Sequence, residues 1–185
     1  MGDIGDEVDA ALARARAGDP RGFDVLFHAL GAPVAGYLRG RSVNDPEGVA
    51  NEVFLRAFRT IRTFQGDAER FRSWVFTIAH HAAVDDIRRR QRRVRESPLD
   101  RAPETAGGDV ETEVIAGLAY ERVQVLLSGL SADQRDVLVL RVVADLSLTE
   151  AAEVLGKSYE AVKALQRRGL SALRVALSSP EEAPR

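Results

Sequence analysis

The sequence predicts an all-α protein made of two small helical domains joined by a flexible acidic linker. Three observations carry that prediction. Apolar residues recur at helical spacing through most of the 185 residues, and no segment alternates with the period of two that marks a half-buried strand. The periodicity lapses between about Glu96 and Asp109, where Pro98, Pro103 and Gly107-Gly108 fall together and Leu99 is the one large apolar residue. On both sides of the gap, serine, aspartate and proline stand where helices begin.

Composition narrows the class. At 45% hydrophobic and 29% charged, the chain has the make-up of an ordinary globular protein. No apolar run approaches the roughly 18–20 residues that span a bilayer, so no membrane insertion is expected. The acidic start, Met1 to Asp19, has neither the basic nor the apolar region of a secretory signal, and the cytoplasm is the expected compartment. Cysteine is absent, which excludes disulfide scaffolds and thiolate-held zinc.

The net charge of −2 conceals a strong asymmetry. Arg56 to Arg95 holds 11 arginines against four acids (Asp67, Glu69, Asp85, Asp86), a local charge of +7. Glu96 to Glu121 holds seven acids and one arginine, or −6. A basic block followed by an acidic one points to a polyanionic partner more clearly than the sum does.

Taken in order, residues 1–18 form an acidic lead-in with one helical stretch, Val8 to Ala17, stopped by Gly18-Asp19-Pro20. The first domain is expected over 19–95. Phe23, Leu26, Phe27, Leu30 and Val34 give a helix from about Arg21 to Leu38, with Pro33 as a possible kink. Asp45 as N-cap and Pro46 at the first helical position open the next, Glu47 to Phe64. Gln65-Gly66-Asp67 breaks it, and a third helix runs from Glu69 into the arginines at 88–93. The linker spans 96–113 and the second domain 114–178, with a disordered tail at 179–185. Helical spacing resumes at Val114 and reaches Leu130. Ser131 with Gln134, and Ser147 with Glu150, fit the capping box and place helices at about Ala132–Val143 and Leu148–Leu155. A last helix begins at Ser158, after Gly156, and runs to about Ala176.

Leu148 to Leu165 has the spacing of a helix-turn-helix. Ala152 is small where two helices cross, and Gly156 suits a turn that needs positive φ. Ser158, Tyr159, Glu160, Lys163, Gln166 and Arg167 are left for the groove, since recognition helices use their N-terminal side chains on base edges. Lys157 to Arg174 carries five basic residues and one acid, an electrostatic footprint for DNA. The plainer alternative is a helical hairpin with a solvated basic face.

On the third helix, Phe71, Trp74, Val75, Ile78 and Ala82 share one stripe. Phe76 falls off it, and His80 lies opposite. Rings beside arginines suit single-stranded nucleic acid, where bases stack and the backbone follows positive charge; for Trp74 and Phe71, core packing is the equal alternative. His80 and His81 diverge by about 100° on a helix and cannot share a metal. Asp85 is spaced for ion pairs with Arg88 and Arg89. No phosphate loop, dinucleotide turn or nucleophile elbow occurs, so no cofactor, metal site or enzyme is expected.

Together these segments resemble the extracytoplasmic-function (ECF) family of bacterial RNA polymerase σ factors, which keep only the σ2 and σ4 domains. The likeness rests on Asn51-Glu52-Val53-Phe54-Leu55-Arg56-Ala57-Phe58, Phe64-Gln65-Gly66-Asp67, Phe71 to Ala79 and Asp85-Asp86-Ile87-Arg88-Arg89-Arg90 in the first half. Leu130 to Arg141, leading into the helix-turn-helix, carries it in the second.

The resemblance implies roles by position. Asn51, Glu52, Phe54 and Leu55 would dock on the clamp of the polymerase largest subunit. Phe64, Arg72, Trp74, Phe76, His80, His81, Asp85, Arg88, Arg89 and Arg92 would open and read the −10 element. Arg141, Thr149, Lys157, Ser158, Tyr159, Glu160, Lys163, Gln166 and Arg167 would read the −35 element. The implied partners are core polymerase (clamp and flap), promoter DNA both duplex and melted, and a separate anti-σ protein, with a monomeric free chain.

The chain departs from the family at Asn51-Glu52, commonly Gln-Glu, at Glu47-Gly48-Val49, often Glu-Asp-Leu, and at His80-His81, commonly Arg-Asn. Two rivals remain: a helix-turn-helix regulator that never meets polymerase, and a σ mimic that sequesters an anti-σ factor.

Overall fold

The computed structural model describes residues 4–96 and 121–178. The expected linker lies, but for Glu96, outside these residues, as does the expected tail. The described elements are α1 (Ile4–Arg16), α2 (Pro20–Gly40), α3 (Pro46–Thr60), one turn of 3-10 helix (Ile61–Thr63), α4 (Ala68–Glu96), α5 (residues 121–128), α6 (Ala132–Val142), α7 (Leu148–Leu155) and α8 (Tyr159–Ser178). No strand occurs among the described residues.

Helix starts follow the capping chemistry of the sequence. Asp19 accepts from the Arg21 amide with Pro20 beginning α2, and Asp45 accepts from the Gly48 amide with Pro46 beginning α3. Both serine boxes close. The Gln134 amide donates to Ser131 Oγ at 3.3 Å and the Ser131 amide to Gln134 Oε1 at 3.1 Å. At α7 the corresponding distances are 3.2 Å and 2.7 Å. Each box satisfies two amides that a helix N-terminus would otherwise leave without partners. Gly156 ends α7 at φ +60°, the left-handed cap that costs a side chain most and glycine least.

The first helical body is α1 to α4. Leu26, Val34 and Leu38 of α2 meet Val53, Phe54 and Ala57 of α3 and Phe71, Val75, Phe76 and Ala79 of α4 in one buried core. The N-terminal segment belongs to this body and is more than a lead-in. Ala11, Leu12 and Ala15 are buried against α2, and a Cβ on Gly22 would lie 2.5 Å from the Ala11 carbonyl. Asp9 accepts from the Ala68 amide at 2.6 Å and so caps α4, while Arg16 donates to the Gly66 carbonyl at 2.6 Å.

α2 runs on through Pro33. α3 stops at Thr60, earlier than its apolar stripe predicts, because the chain tightens into the 3-10 turn that buries Ile61.

The second body packs α6, α7 and α8 around Val137, Leu140, Leu146, Ala151, Val154, Val162 and Leu165. Gly169 lets α8 approach α6, for a Cβ there would stand 2.9 Å from Leu138 Cδ1. The two bodies touch. α7 lies along α4, and α6 meets α2, so the buried core continues from one into the other.

Candidate nucleic-acid interface

Three surfaces collect the residues singled out by the sequence, and a fourth joins the two bodies. On α3, Asn51, Glu52 and Leu55 face outward, and Leu55 is 55% exposed. Glu52 holds Arg56 at 3.5 Å. Phe54 points the other way: it is 2% exposed and packs edge-on against Phe27, with ring centroids 4.9 Å apart. It supports the outward face from beneath.

α4 divides along its length. At its start Phe64 stacks on Trp74 with centroids 4.9 Å apart and planes at 25°, and the Arg16 guanidinium lies over Phe64. Both rings are half-buried. Phe76 is fully buried and meets Tyr37 edge to face, 5.8 Å between centroids. The helical wheel set it apart from the apolar stripe because that stripe describes one buried face. α4 has two, since α1, α2 and α3 pack on it from one side and α7 from another.

Beyond His80 the helix opens to solvent. His81, Asp85, Arg88, Arg89 and Arg92 are exposed, and a shallow cleft is lined by Asp85, Arg88, Gln91 and Arg92. The carboxylate paired with the arginines is Asp86, not Asp85: it lies 3.0 Å from Arg90 and 3.8 Å from Arg89. Asp86 faces inward, where the helix turn brings Arg90 back over it. Arg90 also donates to the Ser42 carbonyl (2.7 Å) and Asn44 (3.1 Å), tying α4 to the α2–α3 turn.

In the helix-turn-helix, Ser158 accepts from the Ala161 amide at 3.2 Å and starts α8. Tyr159, Glu160, Lys163 and Arg167 project into solvent from its first turns, with Gln166 half-buried and the Lys163 ammonium 5.9 Å from the Tyr159 ring centroid. Thr149 is exposed at the start of α7. Lys157 is held by Asp133 at 3.0 Å. Arg141 turns back on its own domain and donates to the Leu146 carbonyl.

The fourth surface was not visible in the sequence. Between the bodies, Arg41, the C-cap of α2, forms a buried ion pair with Asp136 of α6, their side chains 7% and 5% exposed. Tyr37 Oη and His80 Nδ1 share a hydrogen bond of 2.9 Å, and the second Asp136 oxygen lies 4.0 Å from that nitrogen. Burial lowers His80 to about 4, with Arg41 and His81 adding to the effect. The ring is therefore neutral at pH 7, and burial raises the Tyr37 hydroxyl further above its usual value, so both partners of this hydrogen bond are uncharged.

Burial also raises Asp136, to about 6, against the opposing pull of Arg41. Nearby, Glu150 accepts from Ser73 at 3.1 Å and from Arg72 at 3.3 Å. Its burial is outweighed by the Ser147 hydrogen bonds and the Arg72 charge, so its pKa falls below the usual value. Such pairs join residues far apart in sequence, and no periodicity signals them.

Among the described residues, no helix is long and apolar enough to cross a membrane, and no three metal-ligating side chains cluster.

Comparison with known proteins agrees with this geometry. Residues 26–93 match the family model for Sigma-70 region 2, and residues 126–175 match that for Sigma-70, region 4. The fold is shared with a solved structure of CnrH in complex with the cytosolic domain of CnrY (26% identity, 97% of this chain and 100% of that one, TM-score 0.73). Two Sigma-70 regions in this order, the second holding a helix-turn-helix, define a transcription initiation factor of the σ70 type.

SigD of Mycobacterium tuberculosis, an ECF RNA polymerase sigma factor, is 32% identical over 92% of this chain and 84% of its own. ShbA of Streptomyces griseus is 32% identical over 90% and 93%. The chain belongs to the ECF family of RNA polymerase sigma factors.

Proposed function

We propose that this σ factor docks on the clamp of the polymerase largest subunit through the outward face of α3, opens and reads the −10 element with α4, and reads the −35 element with α7 and α8. In this reading Asn51, Glu52 and Leu55 touch polymerase, with Phe54 holding them in place from below. Arg88, Arg89 and Arg92 follow the backbone of the melted strand, and His81 and His80 lie where a flipped base is read. Tyr159, Glu160, Lys163 and Arg167 enter the major groove, where basic and polar side chains distinguish base pairs by their donor and acceptor pattern.

The chain acts in the cytoplasm, by binding and not by catalysis. CnrH was solved with a cytosolic protein domain bound to it, and a separate anti-σ protein is the matching partner here.

The observation that carries the reading is the α3 face. A helix-turn-helix regulator that works alone has no use for an exposed leucine flanked by Asn51 and Glu52 on a different domain. The test is run-off transcription from a genomic library with core polymerase and either wild-type chain or the double variant Glu52→Lys/Leu55→Asp. Both positions are exposed, so folding should change by less than about 0.5 kcal/mol each, checked by circular dichroism. Transcript yield should fall at least about tenfold, equivalent to ~1.4 kcal/mol of docking energy. Unchanged yield with the folded variant would overturn the docking assignment.

A further inference from the structure

Helix α1 lies ahead of residues 26–93, the stretch matched to Sigma-70 region 2, and carries none of the residues assigned to DNA or polymerase. Two of its charged side chains nevertheless reach out of their own helix to hold one loop. Asp9 and Arg16 are two turns apart, so both stand on the same side of α1. That side meets the chain where the 3-10 turn runs into α4.

Local bonds secure the ends of this loop, Phe64–Asp67. The Phe64 amide donates to the Ile61 carbonyl at 3.1 Å, and Asp67 accepts from the Arg70 amide at 2.9 Å as an ordinary N-cap. With that cap in place, α4 needs no second carboxylate in order to begin. Asp9 still accepts from the Ala68 amide, across 59 residues of sequence, and so fixes the start of α4 relative to α1. Arg16 holds the middle of the loop: it donates to the Gly66 carbonyl, and its guanidinium lies 5.4 Å from the Phe64 ring centroid. Arg62 fills the same corner, with Nη2 3.1 Å from where a Cβ on Gly18 would stand.

Phe64 passes the restraint on. Its ring stacks on Trp74 and meets the buried Phe71 edge to face, 5.5 Å between centroids. Phe64 and Trp74 are both half-buried, so each keeps some ring surface open to solvent. Bases of an unpaired strand stack on rings of this kind. A ring that must first be ordered gives up rotamer freedom on binding, and a ring already held does not.

We propose that Asp9 and Arg16 are positioning residues for the −10 strand: they hold the Phe64–Asp67 loop so that Phe64 and Trp74 are presented, already stacked, to an unpaired base. Neither side chain touches DNA itself. The inference rests on the reading of Phe64 and Trp74 as −10 residues, and it adds α1 to that site.

Trp74 is the single tryptophan of the chain, so its emission reports the stack directly. Arg16→Met keeps an unbranched stem beside Phe64 and loses both the guanidinium and the bond to Gly66. Leu12 and Ala15 remain buried, which keeps α1 docked. In the free variant, acrylamide should quench Trp74 more strongly and its emission should move to longer wavelength. The strand probe is a fluorescein-labelled non-template single strand from a promoter found by run-off transcription. Holoenzyme carrying the variant should bind it about fivefold more weakly, equivalent to ~1 kcal/mol. Its affinity for duplex holding only the −35 half of that promoter should not change. Asp9→Ala should act in the same direction on both signals, and Asp9→Asn, which keeps an acceptor for the Ala68 amide, should restore them.

Wild-type quenching and strand affinity in Arg16→Met would overturn the proposal, as would an Asp9→Asn chain no better than Asp9→Ala. An equal loss on the −35 duplex would mark general damage to the fold and overturn it too. Phe64→Ala separates this failure from failure of the reading beneath it. If Phe64→Ala weakens strand binding and Arg16→Met does not, the −10 reading stands and the positioning role falls. If Phe64→Ala binds the strand as wild type does, Phe64 is no −10 residue and the inference falls with it.

Discussion

Asp136 and His80 share one buried site and respond to acid in opposite directions. His80 is held at about 4, below its usual value, so the stability that its neutral ring contributes is complete above pH 6.5 and drains away as pH falls toward 4. Asp136 is held at about 6, above its usual value, so its ionised form is a burden that lifts as pH falls from 6 toward 3.8. The groups facing the pair are Tyr37 of α2 and Arg41 at its C-cap, Asp133 and Arg135 from α6, Lys157 before α8, and His81 beside it on α4.

His80→Gln removes the first contribution and leaves the second. Its melting temperature should therefore rise relative to wild type as pH is lowered from 7 to 5. Asp136→Asn should show the reverse. Parallel melting curves for all three proteins across that range would refute the assignment. The sequence discloses neither partner of this site: it puts His80 on a helix opposite the apolar stripe, but a stripe does not disclose which distant helix closes over it.

The elements themselves were largely written in local chemistry. Both serine boxes, Asp45 with Pro46, and the glycine after α7 act within four residues of sequence, and the helices begin or end beside them. Gly156 isolates one of these signals, because its φ is +60° and nothing lies within 4 Å of where a Cβ would be. Gly156→Ala should cost about 1–2 kcal/mol through backbone strain alone, seen as a lower urea midpoint with an unchanged slope, and Gly156→Asn should cost less. An alanine variant as stable as wild type would mean that the turn is held in some other way.

Where the sequence misled, the element had more than one buried side. Phe76 is interior on α4, and α1, expected outside the first domain, seals that domain's base and caps α4 through Asp9.

Over the whole molecule, a net charge of −2 coexists with a row of exposed arginines at the far end of α4. On the proposed reading, that row would release counterions from the melted strand as it binds. Replacing Arg88, Arg89 and Arg92 together by alanine should reduce the slope of log affinity against log salt by about 2–3, at roughly 0.7–0.9 per phosphate contact. Salt titration of a fluorescent −10 single strand, with polymerase present, measures it; a slope that does not change would remove these arginines from the interface. The family, the order of domains and the basic helix were legible because they are patterns along the chain. The seam between the domains was not, since it depends on glycines that merely permit approach and on charges that meet only in three dimensions.

Glu150 belongs to both descriptions, closing the start of α7 with one oxygen and holding Arg72 and Ser73 with the other. That double duty makes it a point of evolutionary leverage. A change such as Glu150→Gln keeps a capping group for the Ser147 amide while weakening the grip on Arg72. Drift at this one position can therefore loosen the contact between the two bodies while the start of α7 stays closed.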